Sequence, residues 1–333
     1  MENNYLEPIE LITKPNHARK IYLLLGYRCN EQCVFCGLGE DKEIIWPLYK
    51  EKMYEANEIK EKIDGLIANG LGSNDAIEFS GGEPTIHRDV LDILSYTRNS
   101  FDGTIFLFSN GVKFASQSFS EKYISCGVDN TVVTLHSHKP EVFDEISGLK
   151  GSFKKTTIGL KHLHDAGHPI SIKFIVNRLN YKHAKGWAEY VVEHYPYARI
   201  MINGLALWGQ AMRNKKDISV KHSETAPYIE KAVDVLTNAG VGVGIYFMPA
   251  CNFDPWYWQF FGYRHYLESV LEAQSSSNET KSISYENCYN MPSACNHCVM
   301  QPRCVWAWGP YSKEYGLSEL NPVDLPPYNR TMC

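Results

Sequence analysis

Between Lys20 and Asn203, short apolar runs alternate with longer helix-favouring stretches, and this alternation leaves the chain few architectures. The runs are Lys20–Gly26, Ala76–Ser80, Thr104–Phe108, Asn130–Leu135, Ile170–Val176 and Arg199–Asn203. Between them, Lys52–Asn69, Asp89–Arg98, Gln117–Ser125, Thr156–Ala166 and Ala184–His194 read as helices. Strands separated by helices pair in parallel, because a parallel connection needs a long crossover. Crossovers of one hand then curl the sheet, so an α/β fold with a partial or complete barrel is expected. Past residue 210 the texture changes. Thr225–Asn238 reads as a helix and Val241–Phe247 as a glycine-rich strand. The aromatic run Trp256, Tyr257, Trp258, Phe260, Phe261, Tyr263 reads as a core-facing helix.

Composition excludes several classes of protein. A net charge of −5 supplies no basic field for nucleic acid. No apolar run approaches the roughly 18 residues of a membrane span. The start, Met1-Glu2-Asn3-Asn4-Tyr5, lacks the basic and apolar regions of a signal peptide, so a cytoplasmic protein is expected.

The ten cysteines carry more information. Cys29, Cys33 and Cys36 directly follow the first strand, and Cys295, Cys298 and Cys304 form a second cluster. Tight clusters separated by a long cysteine-poor stretch suit metal ligation better than disulfides. A C-x3-C-x2-C match arises by chance in roughly one such chain in a hundred. Structural zinc needs a fourth protein ligand and usually shows paired C-x2-C knuckles. Three thiolates on one loop instead leave one iron of a [4Fe–4S] cluster open, since full ligation takes four.

This loop resembles that of the radical S-adenosylmethionine (SAM) superfamily, whose hallmark is C-x3-C-x-aromatic-C, with Phe35 here as the aromatic. The resemblance implies a partial (β/α)6 barrel with the loop after the first strand. It further implies SAM chelated on the open iron, an electron from a reductant such as flavodoxin or ferredoxin, and a 5′-deoxyadenosyl radical that takes a hydrogen atom from substrate. Ser80-Gly81-Gly82-Glu83-Pro84 resembles the family's GGEP motif at the SAM amino group, where glycines admit close backbone approach and Glu83 accepts from an ammonium. Ser109-Asn110-Gly111 resembles its polar turn after the third strand. His136 and Ser137 end the fourth strand and Asn177 the fifth. Alone, such pairs are ordinary turns; their shared place at C-terminal strand ends favours the site, because barrel chemistry sits on that face. Ser137 and Asn177 are therefore taken as SAM contacts and His136 as a substrate contact. His87 either faces the site or caps the following helix.

Cys295-Asn-His-Cys298-Val-Met-Gln-Pro-Arg-Cys304 reads alone as a zinc knuckle. Beside a radical SAM loop it resembles the auxiliary-cluster tail of SPASM and twitch proteins, which implies a second [4Fe–4S] cluster. The cysteine expected four residues after Cys304 is Trp308, so one auxiliary cluster is expected rather than two. Its fourth ligand lies among Cys251, Cys288 and Cys333. Cys251 is preferred because it follows a strand and a proline, where a rigid element positions it; Cys288 is second. A cysteine free of metal would suit hydrogen-atom donation, the catalytic role assigned to Cys288.

The expected organisation is an N-terminal arm over 1–17, a barrel over 18–210 and an auxiliary-cluster domain over 211–333. The leading expectation is a maturase that epimerises, crosslinks or oxidises a ribosomal peptide. The alternative is a radical SAM enzyme acting on a small molecule such as a sugar, aminocyclitol or cofactor precursor. From another class comes a non-catalytic zinc or iron–sulfur interaction protein, which would leave GGEP without a role.

Overall fold

The computed structural model describes residues 19–38, 51–262, 270–273, 280–282, 289–301, 304 and 307–323. The expected arm over 1–17, Cys288 and Cys333 lie outside them. Seven parallel strands stand side by side in chain order: β1 (Lys20–Leu24), β2 (Ala76–Ser80), β3 (Thr104–Ser109), β4 (Asn130–Thr134), β5 (Ile170–Ile175), β6 (Arg199–Asn203) and β7 (Val243–Tyr246). Their registers set Lys20 beside Ala76, Ala76 beside Thr104, Phe106 beside Asn130, Thr131 beside Ile170, Ser171 beside Arg199 and Ile200 beside Val243. On the other edge β8 (Val270–Ala273) runs parallel to β1, and β9 (Thr280–Ser282) pairs antiparallel with β8. The sheet ends at β7 and β9, so it is an open partial barrel.

Past residue 210 the sheet continues, because β7 pairs in parallel with β6. The break in sequence texture arises from the aromatic segment after β7. That run forms a 3-10 helix over Pro255–Phe260, capped by Asp254, whose carboxylate accepts from Trp256 N at 3.0 Å. Tyr257, Trp258, Phe260 and Phe261 are buried there, and Gly262 N bonds the Ile245 carbonyl at 3.1 Å.

Alternation within the strands separates two faces. Ile21, Leu23, Ile77, Phe79, Ile105, Leu107, Ile172, Phe174, Ile200 and Ile202 are buried in the main core with the helices. Each such side chain contributes about 1.5–3 kcal/mol by leaving water. Residues of the opposite parity, among them Lys20, Tyr22, Glu78, Phe106, Phe108 and Lys173, face the lumen, the side turned away from the helices. The crossover helices are α1 (Ala56–Ala68), α2 (Val90–Ser100), α3 (Gln117–Ile124), α4 (Pro140–Ser147), α5 (Ser152–Asp165), α6 (Ala184–His194) and α7 (His222–Asn238). A capping box starts α1, with Glu58 bonding back to Glu55 N at 2.9 Å.

Helix α4 does not stand out in the sequence because it has only two turns, yet its ends carry the usual signals. Pro140 opens it and Gly148, left-handed at φ 65°, closes it. Its last carbonyls are satisfied from the cysteine loop, by Gln32 N to Ser147 O and Val34 N to Ile146 O, both at 2.9 Å. Among the described residues no helix is long and apolar enough to cross a membrane.

The C-terminal segment is tied back to the sheet. Helix α8 (Gly309–Tyr315) stacks Tyr311 on His222 at 4.2 Å between ring centroids. The Tyr311 hydroxyl accepts from His222 N at 2.9 Å and donates to Glu319. Glu319 also accepts from Ser223 N at 3.0 Å, and Lys215 pairs with Glu314. The start of α7 thereby holds the tail.

Candidate functional site

The first site is assembled at the C-terminal ends of β1 to β5. After β1 the chain passes Gly26 and enters the loop with Cys29, Cys33 and Cys36. This loop is held by the Gly-Gly pair after β2. Gly82 N bonds Gly26 O and Glu83 N bonds Arg28 O, both at 2.9 Å. A Cβ on Gly82 would lie 2.5 Å from the Tyr27 carbonyl oxygen, and one on Gly81 would strike the Gly26 carbonyl. The two glycines therefore seat the cysteine loop against β2.

Glu83 is buried, and both its oxygens are engaged. Oε1 accepts from Thr85 N at 3.0 Å, Thr85 Oγ1 at 2.6 Å and Ser109 Oγ at 2.8 Å, while Oε2 accepts from Asn110 N at 2.7 Å. Burial pushes its pKa up, and these donors oppose the rise. Pro84 follows it as the first residue of a 3-10 turn. Asn110 then reaches the loop, its Nδ2 donating to Asn30 Oδ1 at 2.7 Å. An unbroken chain of bonds thus runs from Glu83 through Asn110 to the residue after Cys29. Neither Asn30 nor this link stands out in the sequence, where Asn30 is only a spacer in the cysteine motif.

His136 extends from the end of β4 beneath the loop. It is 2 % exposed, its Nε2 lies 3.9 Å from Cys33 Sγ, and Phe35 meets its ring edge-on at 5.3 Å. Burial lowers its pKa to about 3, so the ring is neutral. Glu31 completes this corner: the Glu31, Cys33 and His136 ligand atoms all lie within 4.8 Å of one another. Burial, then the nearby Glu83 charge, raises the Glu31 carboxyl to about 8. Ser137 Oγ accepts from Lys139 N at 3.1 Å. The Asn177 side chain shapes the turn after β5, accepting from Leu179 N at 3.0 Å and donating to Ile175 O at 3.0 Å. Asn180, also unmarked in the sequence, donates to His136 O and Ile175 O at 2.9 Å each. His87 caps rather than faces the site: Nδ1 accepts from Asp89 N at 3.0 Å and Nε2 meets Tyr54 O at 2.8 Å.

The thiols fit a cationic centre. Burial raises the half-buried Cys33 and Cys36, while Cys29 stands at the exposed edge of the loop. At Cys33 the charges of Glu31, Cys36 and Cys29 add to the rise. Three such thiols become thiolates together only where a metal centre draws their charge.

A second thiol set lies after β7. Cys251, Cys295, Cys298 and Cys304 line one small cavity, with Met300 and Leu320 among the apolar walls. Asn321 N donates to Cys251 Sγ at 3.3 Å and Val323 N to Cys298 Sγ at 3.5 Å. Burial, and then the neighbouring Cys295 and Cys298 charges, raise Cys251 against the Asn321 hydrogen bond.

Known proteins agree with this architecture. The chain is 28% identical over 159 residues to a probable GTP 3',8-cyclase of Saccharolobus islandicus, covering 47% of this chain and 48% of that one. It is 26% identical over 200 residues to the Fe-coproporphyrin III synthase of Methanosarcina barkeri, covering 60% and 47%. The chain thus spans about half the length of these curated relatives. In fold it is similar to Streptococcus suis SuiB bound to S-adenosylmethionine, at TM-score 0.56 and 13% identity, covering 83% of this chain and 61% of that one. It is likewise similar to anSMEcpe with bound AdoMet and a Cp18Cys peptide, at TM-score 0.52 and 14% identity, covering 68% and 63%. The family description "Radical SAM superfamily" matches residues 23–191, just over half of the 333. That stretch runs from β1 through the thiol loop to α6, which displaces the reading of a non-catalytic interaction protein: the chain belongs to the radical SAM superfamily and is a radical SAM enzyme.

Proposed function

We propose that this radical SAM enzyme carries a second, auxiliary iron–sulfur cluster on Cys251, Cys295, Cys298 and Cys304, and that it matures a peptide. The observation behind the second cluster is the single cavity lined by all four cysteines. Four thiolates satisfy a [4Fe–4S] cluster in full, while the loop of Cys29, Cys33 and Cys36 leaves one iron for SAM. When bound, cluster and SAM supply reductive cleavage to a 5′-deoxyadenosyl radical; the reductant is of the flavodoxin or ferredoxin class, in a cytoplasmic setting. The chain's own work is to hold the loop. Gly81 and Gly82 seat it, the chain from Glu83 through Asn110 to Asn30 braces it, and neutral His136 packs against it 3.9 Å from Cys33 Sγ.

A peptide substrate is favoured by the likeness in fold to anSMEcpe, captured with a peptide, over most of this chain. A small-molecule substrate is favoured instead by the curated relatives, a probable GTP 3',8-cyclase and an Fe-coproporphyrin III synthase. The test begins with iron. Anaerobically reconstituted protein is expected to hold about eight irons per chain, and Cys251→Ala about four. Replacing Cys29, Cys33 and Cys36 together is expected to abolish 5′-deoxyadenosine formation while the second centre persists. Stoichiometric zinc on the second set, or Cys251→Ala with full iron, would overturn the auxiliary cluster. Deuterium transferred into 5′-deoxyadenosine from labelled peptides or from labelled small molecules decides the substrate class.

A further inference from the structure

The lumen carries charge and hydrogen-bonding capacity that the cysteine site leaves unused. Lys20, on β1, pairs with Glu78, on β2, both buried. Lys173, on β5, makes no hydrogen bond or ion pair among the described residues. Its ammonium lies 5.6 Å from the Phe108 ring centroid, on an aromatic face that weakly supports a cation. It also acts electrostatically on Lys20. Among the described residues, two lysines therefore share this part of the lumen with the Glu78 carboxylate. Burial lowers Lys173 to about 8, which leaves it mostly charged at neutral pH. On the adjoining strand, Asn203 alternates with core-facing Ile200 and Ile202 and so faces the same side. It is 4 % exposed, and its Oδ1 has no hydrogen-bond partner. The register puts Met201 beside Lys173 and Asn203 beside Ile175, one step nearer the site.

A buried carboxamide oxygen without a donor is unfavourable, as is a half-buried ammonium without a hydrogen bond or ion pair. Such costs persist where a ligand relieves them. We propose that Lys173 and Asn203 form a lumen subsite for the substrate, in which the ammonium receives an anionic oxygen group, carboxylate or phosphate, and the carboxamide oxygen accepts from an adjacent N–H or O–H of the same molecule. As a substrate subsite it rests on the radical SAM chemistry described above. Lys173 stands beside Thr134 at the C-terminal end of β4, and its carbonyl accepts from Leu135 N at 3.0 Å, so the subsite adjoins the end of the barrel that carries the thiol loop.

The test follows the accessibility of the Lys173 amine in the reconstituted full chain. Acetic anhydride is applied at pH 8, and acetylation of each lysine is read by peptide mass spectrometry. Inorganic phosphate is added in one arm and succinate in another, each against chloride at equal ionic strength. At least a tenfold slowing at Lys173 is expected with one of the two anions, and which one identifies the oxygen chemistry. Exposed Lys161 serves as the reference and is expected to be unaffected. Asn203→Asp, which supplies a carboxylate of its own, is expected to remove the protection while the protein stays folded by circular dichroism. Equal labelling in phosphate, succinate and chloride would overturn the subsite, as would protection by SAM alone. Reductive SAM cleavage by the same preparation is measured in parallel. Protection without cleavage sinks the radical SAM chemistry and spares the anion site, whereas cleavage without protection does the reverse.

Discussion

Replacing Gly82 by alanine is expected to unseat the cysteine loop. An added Cβ would lie 2.5 Å from both the Tyr27 carbonyl oxygen and the Arg28 carbonyl carbon, and nearer still to the Arg28 oxygen. These are backbone atoms, which cannot swing aside as a side chain does. Restoring ordinary contact requires a shift of about 1 Å in the segment Tyr27–Arg28. That shift breaks or weakens the 2.9 Å bonds Gly82 N to Gly26 O and Glu83 N to Arg28 O. Overpacking costs about 1–3 kcal/mol and each lost bond about 1, so the total is about 3–5 kcal/mol. Melting followed by circular dichroism under anaerobic conditions is expected to show a Tm loss on the order of 10 °C. Because Cys29 adjoins Arg28, iron at the first site is lost and iron per chain falls by about half. Gly72→Ala is the control: a Cβ there meets nothing within 4 Å, and the change is expected to stay within about 0.5 kcal/mol. A Gly82→Ala protein with wild-type Tm and full iron would refute the seating role.

Two further perturbations probe the frame around the sites. Tyr311→Phe removes a hydroxyl that accepts from His222 N and donates to Glu319, at an expected cost of about 1–3 kcal/mol; limited proteolysis is expected to release the tail sooner, and unchanged cleavage would count against the clamp. Burial lowers His168 to about 4, and its Nε2 lies 2.7 Å from Thr131 Oγ1. The folded state therefore binds fewer protons than the unfolded chain between about pH 6.5 and pH 4. The His168 share of stability is whole above that window, is lost as pH falls through it, and amounts to at most about 3 kcal/mol. Urea midpoints measured from pH 7 to pH 4 are expected to fall less steeply in His168→Gln than in wild type; parallel curves would exclude the histidine as a source.

How much of the fold and the site is legible in the sequence depends on how local each signal is. The first six strands announce themselves because each is a contiguous apolar run, and the thiol loop because its ligands lie within eight residues. Helix α4 hides because two turns give too little periodicity, although Pro140 and Gly148 mark its ends. The strand β7 is readable as an element, but its pairing with β6 is a long-range fact and the aromatic stretch after it suggests a new domain. Glu83 is conspicuous in its motif, yet its oxygens serve Thr85, Ser109 and Asn110. The link from Asn110 to Asn30 spans 80 residues and leaves no local pattern at all. Lys173 and Asn203 escape for a different reason. Inside apolar strands they read as single interruptions, and only the parity of β5 and β6 sends them into the lumen together.

The two thiol sets stand at strand ends on opposite sides of the seven parallel strands, one after β1 and the other after β7. In both, backbone N–H groups point at sulfur: Glu31 N lies 3.4 Å from Cys29 Sγ, Asn321 N 3.3 Å from Cys251 Sγ and Val323 N 3.5 Å from Cys298 Sγ. A donor aimed at sulfur stabilises thiolate over thiol, at Cys251 against the rise that burial causes. Packing alone would not demand this, since a buried free cysteine behaves as a small hydrophobe. Cys126 Sγ, by comparison, faces only carbonyls among the described residues, those of Leu91 and Lys122 at 3.4 and 3.3 Å, while in the first set Cys33 Sγ also faces the Glu31 carboxylate at 3.5 Å. The donors on Cys251 and Cys298 come from residues 321 and 323, just beyond Glu319 in the clamp of His222 and Tyr311. The tail is therefore fastened first to α7 and then to the sulfurs. A fastening so close to the donors fixes the second thiol set to the same parallel sheet that carries the first.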